Sequence, residues 1–176
     1  ENDEMGGYDP YSSSKSSCEL IINSLRNTNI KLPLTSVRAG NVIGGGDWNQ
    51  NRLIPDIMKF IHLNKKLVLR NSDSVRPWQH VLEPINGYLI LAEKIYQKKL
   101  DNKIVYPWNF GPSKNSQKEV KYILNFFNKK YNFNLKKILN KTTKFNETKK
   151  LLLSSSKSNK YLNWNNKLNF NETLEY

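Results

Sequence analysis

One short run constrains this chain more than any other: Tyr8-Asp9-Pro10-Tyr11-Ser12-Ser13-Ser14-Lys15, a few residues from its first position. Asp9 can cap a helix and Pro10 can take its first position, where a missing N–H costs nothing. Tyr11 and Lys15 then fall four apart, on one helical face. An ammonium one turn from a phenol favours the phenolate. Such a pair can exchange a proton with a sugar or alcohol hydroxyl. The spacing alone is weak evidence, because nine tyrosines among so many lysines give about one match by chance. The alternative is an ordinary exposed Tyr–Lys pair on a surface helix.

The rest of the chain reads as mixed α/β. Leu20, Ile21, Ser24 and Leu25 continue the helix to about Asn27. Residues 34–39 read as a short strand, with β-branched Thr35 and Val37. Residues 40–51 read as a glycine-rich loop suited to backbone approaching a ligand. Residues 53–63 read as a helix with Pro55 in its first turn, and residues 66–70 as a strand. Residues 83–96 read as an amphipathic helix with Ile85, Leu89, Ala92, Ile95 and Tyr96 on the apolar side. A strand is expected over 105–110. Ser116-Gln117-Lys118-Glu119 reads as a capping box opening a helix with Val120, Ile123, Leu124 and Phe127 inward. Residues 132–150 are polar and irregular, and 150–153 read as a short strand.

Three further segments give the Tyr–Lys pair a context: Arg38-Ala39-Gly40-Asn41-Val42-Ile43-Gly44-Gly45-Gly46-Asp47-Trp48, then Val75-Arg76-Pro77-Trp78-Gln79-His80-Val81, then Trp108-Asn109-Phe110-Gly111-Pro112. In order and separation they resemble the extended short-chain dehydrogenase/reductase family, in its group of NAD-dependent epimerases and dehydratases. Near the end, Ser156-Lys157 and Leu162-Asn163-Trp164 resemble the family's tail, with Ser154 where aspartate is usual and Asn163 where glycine is usual. The resemblance implies an α/β chain forming the C-terminal part of a Rossmann-type enzyme, with a smaller α/β substrate domain. Residues 1–41 would be the end of the dinucleotide-binding domain and 42–176 mainly the substrate domain, with 83–110 packing back on the Rossmann part. The glycine-rich turn that holds the dinucleotide in this family is not found here. Gly40, Gly44, Gly45 and Gly46 follow the Tyr–Lys helix and lie in the wrong place for it. The chain therefore reads as a partial protein.

The resemblance also implies chemistry. Tyr11 and Lys15 would be catalytic, with NAD as cofactor held by Tyr11, Lys15 and Val42. The Gly-Gly-Gly-Asp-Trp and Arg-Pro-Trp-Gln-His wording implies a 4,6-dehydratase acting on a nucleotide sugar, CDP-glucose. Other epimerases or dehydratases of the family, and a non-catalytic basic binding module, are the alternatives. Arg76 matches the family's diphosphate arginine, and a guanidinium fork suits phosphate oxygens. Arg52 would lie at a nucleotide-sugar contact and Arg70 near the base, with surface solvation as the alternative for each. The Asn41 amide could bond a diphosphate or a sugar hydroxyl, or simply turn the chain. Trp48, Trp78 and Trp108 read as core residues rather than base-stacking platforms.

Composition excludes other classes. The net charge of +13 comes from scattered lysine. The five arginines all lie in the first half, and the lysine pairs form no long basic block, so a nucleic-acid partner is not expected. No apolar run reaches the ~18 residues of a membrane span. Cys18 alone forms no internal disulfide. It fits a reducing, cytoplasmic setting and is expected to be packed. Two histidines without carboxylates at ligand spacing give no metal site. A homo-oligomer is implied for the complete enzyme.

Overall fold

The computed structural model describes residues 3–28, 33–63, 65–100, 107–134, 138–141 and 148–176. The first helix, α1 (Pro10–Arg26), starts where the sequence places it. The Asp9 carboxylate accepts from the amides of Tyr11 and Ser12, at 2.9 and 3.0 Å, and from the Ser12 hydroxyl at 2.6 Å. Those bonds, led by the Ser12 hydroxyl, hold Asp9 below its ordinary carboxylate value. The hydroxyls of Ser13 and Ser16 donate to the carbonyls of Gly7 and Gly6, which folds the preceding segment back over the helix. No α1 residue is buried.

Two small sheets follow, and one glycine separates them. Strand β1 (Val37–Ala39) pairs in parallel with β5 (Trp108–Phe110). After Gly40, strand β2 (Asn41–Ile43) pairs in parallel with β4 (Val75–His80). On its other side β4 pairs antiparallel with β6 (Gln117–Glu119). A Cβ on Gly40 would press into the Pro77 carbonyl oxygen and against the Pro77 and Pro112 rings. Nearby, the buried Gln79 amide donates to the Phe110 carbonyl at 2.8 Å and ties the two sheets together. A third pair is parallel: β3 (Val68–Arg70) with β7 (Leu139–Lys141).

Two apolar clusters lock these strands. In the larger, α2 (Leu53–Leu63), α4 (Val120–Tyr131) and α6 (Phe170–Glu175) bring Ile57, Phe60, Ile123, Phe127 and Phe170 together over Leu69. In the smaller, Leu91 of α3 (Leu82–Tyr96) meets Trp108, Phe110, Trp164 and Leu162 of α5 (Ser156–Leu162). The Phe110 ring stands edge-on to Tyr88 and Trp164. Buried Glu83 accepts from the amides of Lys167 and Leu168 at 2.7 and 2.6 Å and pins the tail to α3.

Several expectations change at this level. Residues 41–43 are strand rather than loop, because β4 offers them a parallel ladder. The helix expected from the Ser116 box starts at Val120, because 117–119 pair with β4 instead; its four inward residues are all buried. Helix α3 buries Glu83, Pro84, Gly87 and Leu91, whereas Ile85, Leu89 and Tyr96 face outward. The close approach of Gly87 to Phe110 and Trp164 decides which face turns in. Cys18 is exposed, because α1 buries nothing. In the stretch 150–153, Lys150 makes only an isolated bridge to Val75. The strand expected at 105–110 is seen over 108–110, and residues 105 and 106 lie outside the described residues.

Gly40→Ala should lower unfolding stability by about 1–3 kcal/mol through overpacking against Pro77. Gly45, with nothing within 4 Å of its would-be Cβ, is the control and should lose far less on the same change. Urea titration of both variants measures this, and equal losses would contradict the junction's role.

Candidate active site

An open cleft of about 1390 Å³ lies where the two sheets part. Tyr11 and Asn41–Gly46 line it, the latter continuing from the Gly40 junction, and Arg52, Arg76 and Leu151–Leu153 line it as well. Tyr11 reaches this wall from the first turn of α1 and stays exposed. Lys15 lies one turn further, with Nζ 5.5 Å from the centroid of the Tyr11 ring. The two groups keep the geometry their spacing implies.

What aims α1 at the cleft is a polar clamp. The Arg38 guanidinium on β1 pairs with the Glu19 carboxylate through Nε and, at 2.7 Å, through Nη2. The Ser36 hydroxyl adds a bond to Glu19 at 3.2 Å. The Arg38 hydrogen bond holds Glu19 below the ordinary carboxylate value, against the cost of its partial burial. Tyr11, Lys15 and Glu19 thus form one stripe at steps of four, with the acid end tied to the sheet. Glu19 is not marked by any motif; the spacing of four that it continues from Tyr11 and Lys15 is the signal in the sequence that points to it.

The structure gathers most of the other expected positions and separates some. Asn41 opens β2 opposite Trp78 and is half-buried; Val42 next to it is exposed toward the cleft. Arg52 stands exposed at the foot of α2, on the cleft wall. Arg76 is only 9% exposed, and its Nη1 donates to the carbonyls of Val75 and Thr148, each at 2.9 Å. Its fork is therefore anchored in the wall as well as lining it. Arg70 ends β3, and its side chain lies outside the described residues. Lys15 touches the Tyr11 ring but is not itself a lining residue of the cleft.

The tryptophans divide. Trp78 and Trp108 are buried as expected, at 5% and 0% exposure. Trp48 is not a core residue: it is 60% exposed and lines the cleft. Its position in a glycine-rich loop, outside any apolar periodicity, was the signal that separates it from the others.

The chain is similar to several known proteins. A family model described as GDP-mannose 4,6 dehydratase matches residues 1–176, the whole chain. The chain is 41% identical to CDP-glucose 4,6-dehydratase of Salmonella typhimurium over 99% of its length, which is 50% of that protein. It spans about half the length of the curated relative it matches. Among solved structures it resembles the dTDP-glucose 4,6-dehydratase of Streptomyces venezuelae, solved with NAD, at a TM-score of 0.84 and 14% identity. That match covers 98% of this chain and 51% of the other. It also resembles the dTDP-glucose 4,6-dehydratase of Bacillus anthracis in complex with NAD, at 0.79 and 20%, covering 99% and 52%. At such identities these two matches establish the fold, which is that of Rossmann-type extended short-chain dehydrogenase/reductases.

A carboxylate whose folded value is depressed stabilises the fold above its unfolded value, and stops doing so as pH falls through the folded one. The Glu19 contribution is therefore whole above about 4.5, its ordinary value, and is lost in more acid solution. Urea midpoints of the unaltered protein and Glu19→Gln should differ at about pH 7 and converge toward about pH 3. A gap of equal width at both would show that the Glu19–Arg38 pair does not hold α1.

Proposed function

The chain belongs to the GDP-mannose 4,6 dehydratase family, and we propose that the whole protein dehydrates CDP-glucose to CDP-4-dehydro-6-deoxyglucose with NAD as cofactor. The observation that carries this reading is the Tyr11–Lys15 pair at the wall of a cleft that also presents arginine. The choice of CDP-glucose is supported by the 41% identity to the Salmonella enzyme along nearly the entire chain.

The residues divide the work by chemistry. Tyr11, as its phenolate, takes the proton from the sugar 4-hydroxyl as hydride leaves C4, a general-base role open to a side chain on the cleft wall. Lys15 sets its Nζ over that ring, 5.5 Å from its centroid. The ketone left at C4 acidifies C5, and water is then lost across C5 and C6 through an acid and a base other than the residues assigned here. NAD, when bound, would supply a hydride acceptor and donor for C4 and C6. The exposed Tyr11 and Lys15 and the open face of Val42 fit the nicotinamide end of such a group, with Lys15 as the ribose contact. Its pyrophosphate end finds no glycine-rich βα turn among the described residues.

Arg52 and Arg76 take the substrate diphosphate in this reading, Arg76 with its fork pre-set by the Val75 and Thr148 carbonyls. Asn41 supplies an amide between them and Tyr11, and Arg70 lies toward the base. The division at residue 41 into a dinucleotide-binding end and a substrate domain is supported by the change of sheet at Gly40. The return of 83–110 to the first part is supported by the β1–β5 pairing. A cytoplasmic homo-oligomer completes the proposal; the outward Leu20, Ile21 and Leu25 on α1 suit a covering protein surface.

In the full-length protein, Tyr11→Phe should lower kcat for CDP-glucose by about 10²–10⁴-fold with a smaller effect on KM. Tyr8→Phe is the control and should leave kcat near its starting value, since Tyr8 is not a lining residue of the cleft. The reverse pattern would transfer the role to Tyr8. Arg52→Ala should weaken CDP-glucose binding by about tenfold to a hundredfold, the loss of a charged hydrogen bond. Calorimetric titration with CDP-glucose measures it, and unchanged affinity would remove Arg52 from the site.

A further inference from the structure

The main cleft does not end at the arginines. It runs on into a second hollow of about 430 Å³, and Trp48, Gln50, Asp56 and Lys66 line both. Neither Tyr11 nor Asn41 lines this hollow. Trp48 stands at the passage, and its setting is unlike that of the other tryptophans. Trp78, Trp108 and Trp164 are at most 5% exposed, and the first and last donate their ring N–H to protein carbonyls. Trp48 leaves 60% of its surface in water, which loses the burial that such a ring gives a fold.

Its backbone is nonetheless held. The Lys59 ammonium on α2 donates to the Trp48 carbonyl at 2.7 Å and to the Asn49 carbonyl at 3.3 Å. The Asn49 amide donates to the Asp47 carboxylate at 3.0 Å. Lys59 lies seven residues beyond Arg52, so the loop runs back along α2 by ~10 Å from the helix start. An exposed indole on an anchored loop, where the cleft meets a hollow lined by further lysines at positions 65 and 66, suits a flat ring attached to an anion.

Resting on the function proposed above, we infer that Trp48 is the stacking platform for the pyrimidine base of the nucleotide sugar, and that Lys59 is the positioning residue that sets it. In such a substrate the base lies at the opposite end from the hexose, with the diphosphate between them. With the hexose at Tyr11 and the diphosphate at Arg52 and Arg76, the base falls toward Trp48. Stacking tolerates any base, so Trp48 contributes affinity for the nucleotide end rather than a choice among bases.

The test compares CDP with ribose 5-diphosphate, which carries the same anion without a base, on the full-length protein by calorimetry. Trp48→Ala should weaken CDP by about tenfold to a hundredfold and leave ribose 5-diphosphate within about twofold. Trp48→Phe should recover much of the loss, since a smaller ring still stacks. Lys59→Met should weaken CDP in the unaltered background and have little further effect once Trp48 is alanine. Equal weakening of both ligands, or of neither, would overturn the inference. Turnover of CDP-glucose by the unaltered protein is followed in parallel. Turnover with Trp48-independent CDP binding sinks the platform alone. Trp48-dependent CDP binding without turnover sinks the dehydratase reading alone. Absence of both CDP binding and turnover sinks the two together.

Discussion

A backbone contact with no room for a side chain governs this structure. At Gly40 the chain leaves one parallel pair of strands and enters the next, pressed against Pro77 from β4 and Pro112 beyond β5. A methyl group there has to push on a carbonyl oxygen and two proline rings, none of which can rotate aside. Because the two sheets part at this point, their strand ends open a cleft instead of closing a core. Asn41, Val42 and the glycines after them inherit their place on its wall from that junction. The Gln79 bond to Phe110 keeps the two sheets from drifting apart around it.

The site combines two kinds of support. Arg76 sits in a packed wall, fixed through backbone carbonyls and backed by the larger apolar cluster around Trp78. Tyr11 is placed quite differently. Its helix buries no residue and reaches the sheet through Glu19, Arg38 and Ser36, with its first turn stiffened by Asp9. Packing therefore fixes the wall that carries Arg76, and short-range electrostatics aim Tyr11 at it. The first is insensitive to acid, and the second weakens when Glu19 is protonated.

How much of this could be read from the residues varies by element. The start of α1 was legible because Asp9 and Pro10 act locally, within one turn. Helices α2 and α4 were legible because their apolar positions repeat at the helical period. Strand β2 was not, since Asn41–Ile43 are strand only because β4 lies beside them. Helix α3 misled for a related reason: its apolar stripe looked like a core face, but Gly87 fits against Phe110 where larger residues cannot. The cleft positions of Tyr11, Asn41, Val42, Arg52 and Arg76 followed from their motifs. The exposure of Trp48 and the grip of Lys59 on its loop depend on contacts eleven residues apart, and no local pattern announces them.

On the function proposed above, the Gly40 junction and the Glu19 clamp together bring Tyr11 to the hexose C4 hydroxyl. A structure of the full-length protein with CDP-glucose and NAD bound measures this directly. The expected result is a Tyr11 Oη within about 2.6–3.2 Å of the C4 hydroxyl, or joined to it through one water. A hexose bound with its C4 hydroxyl turned away from Tyr11, against another titratable group, would contradict the account.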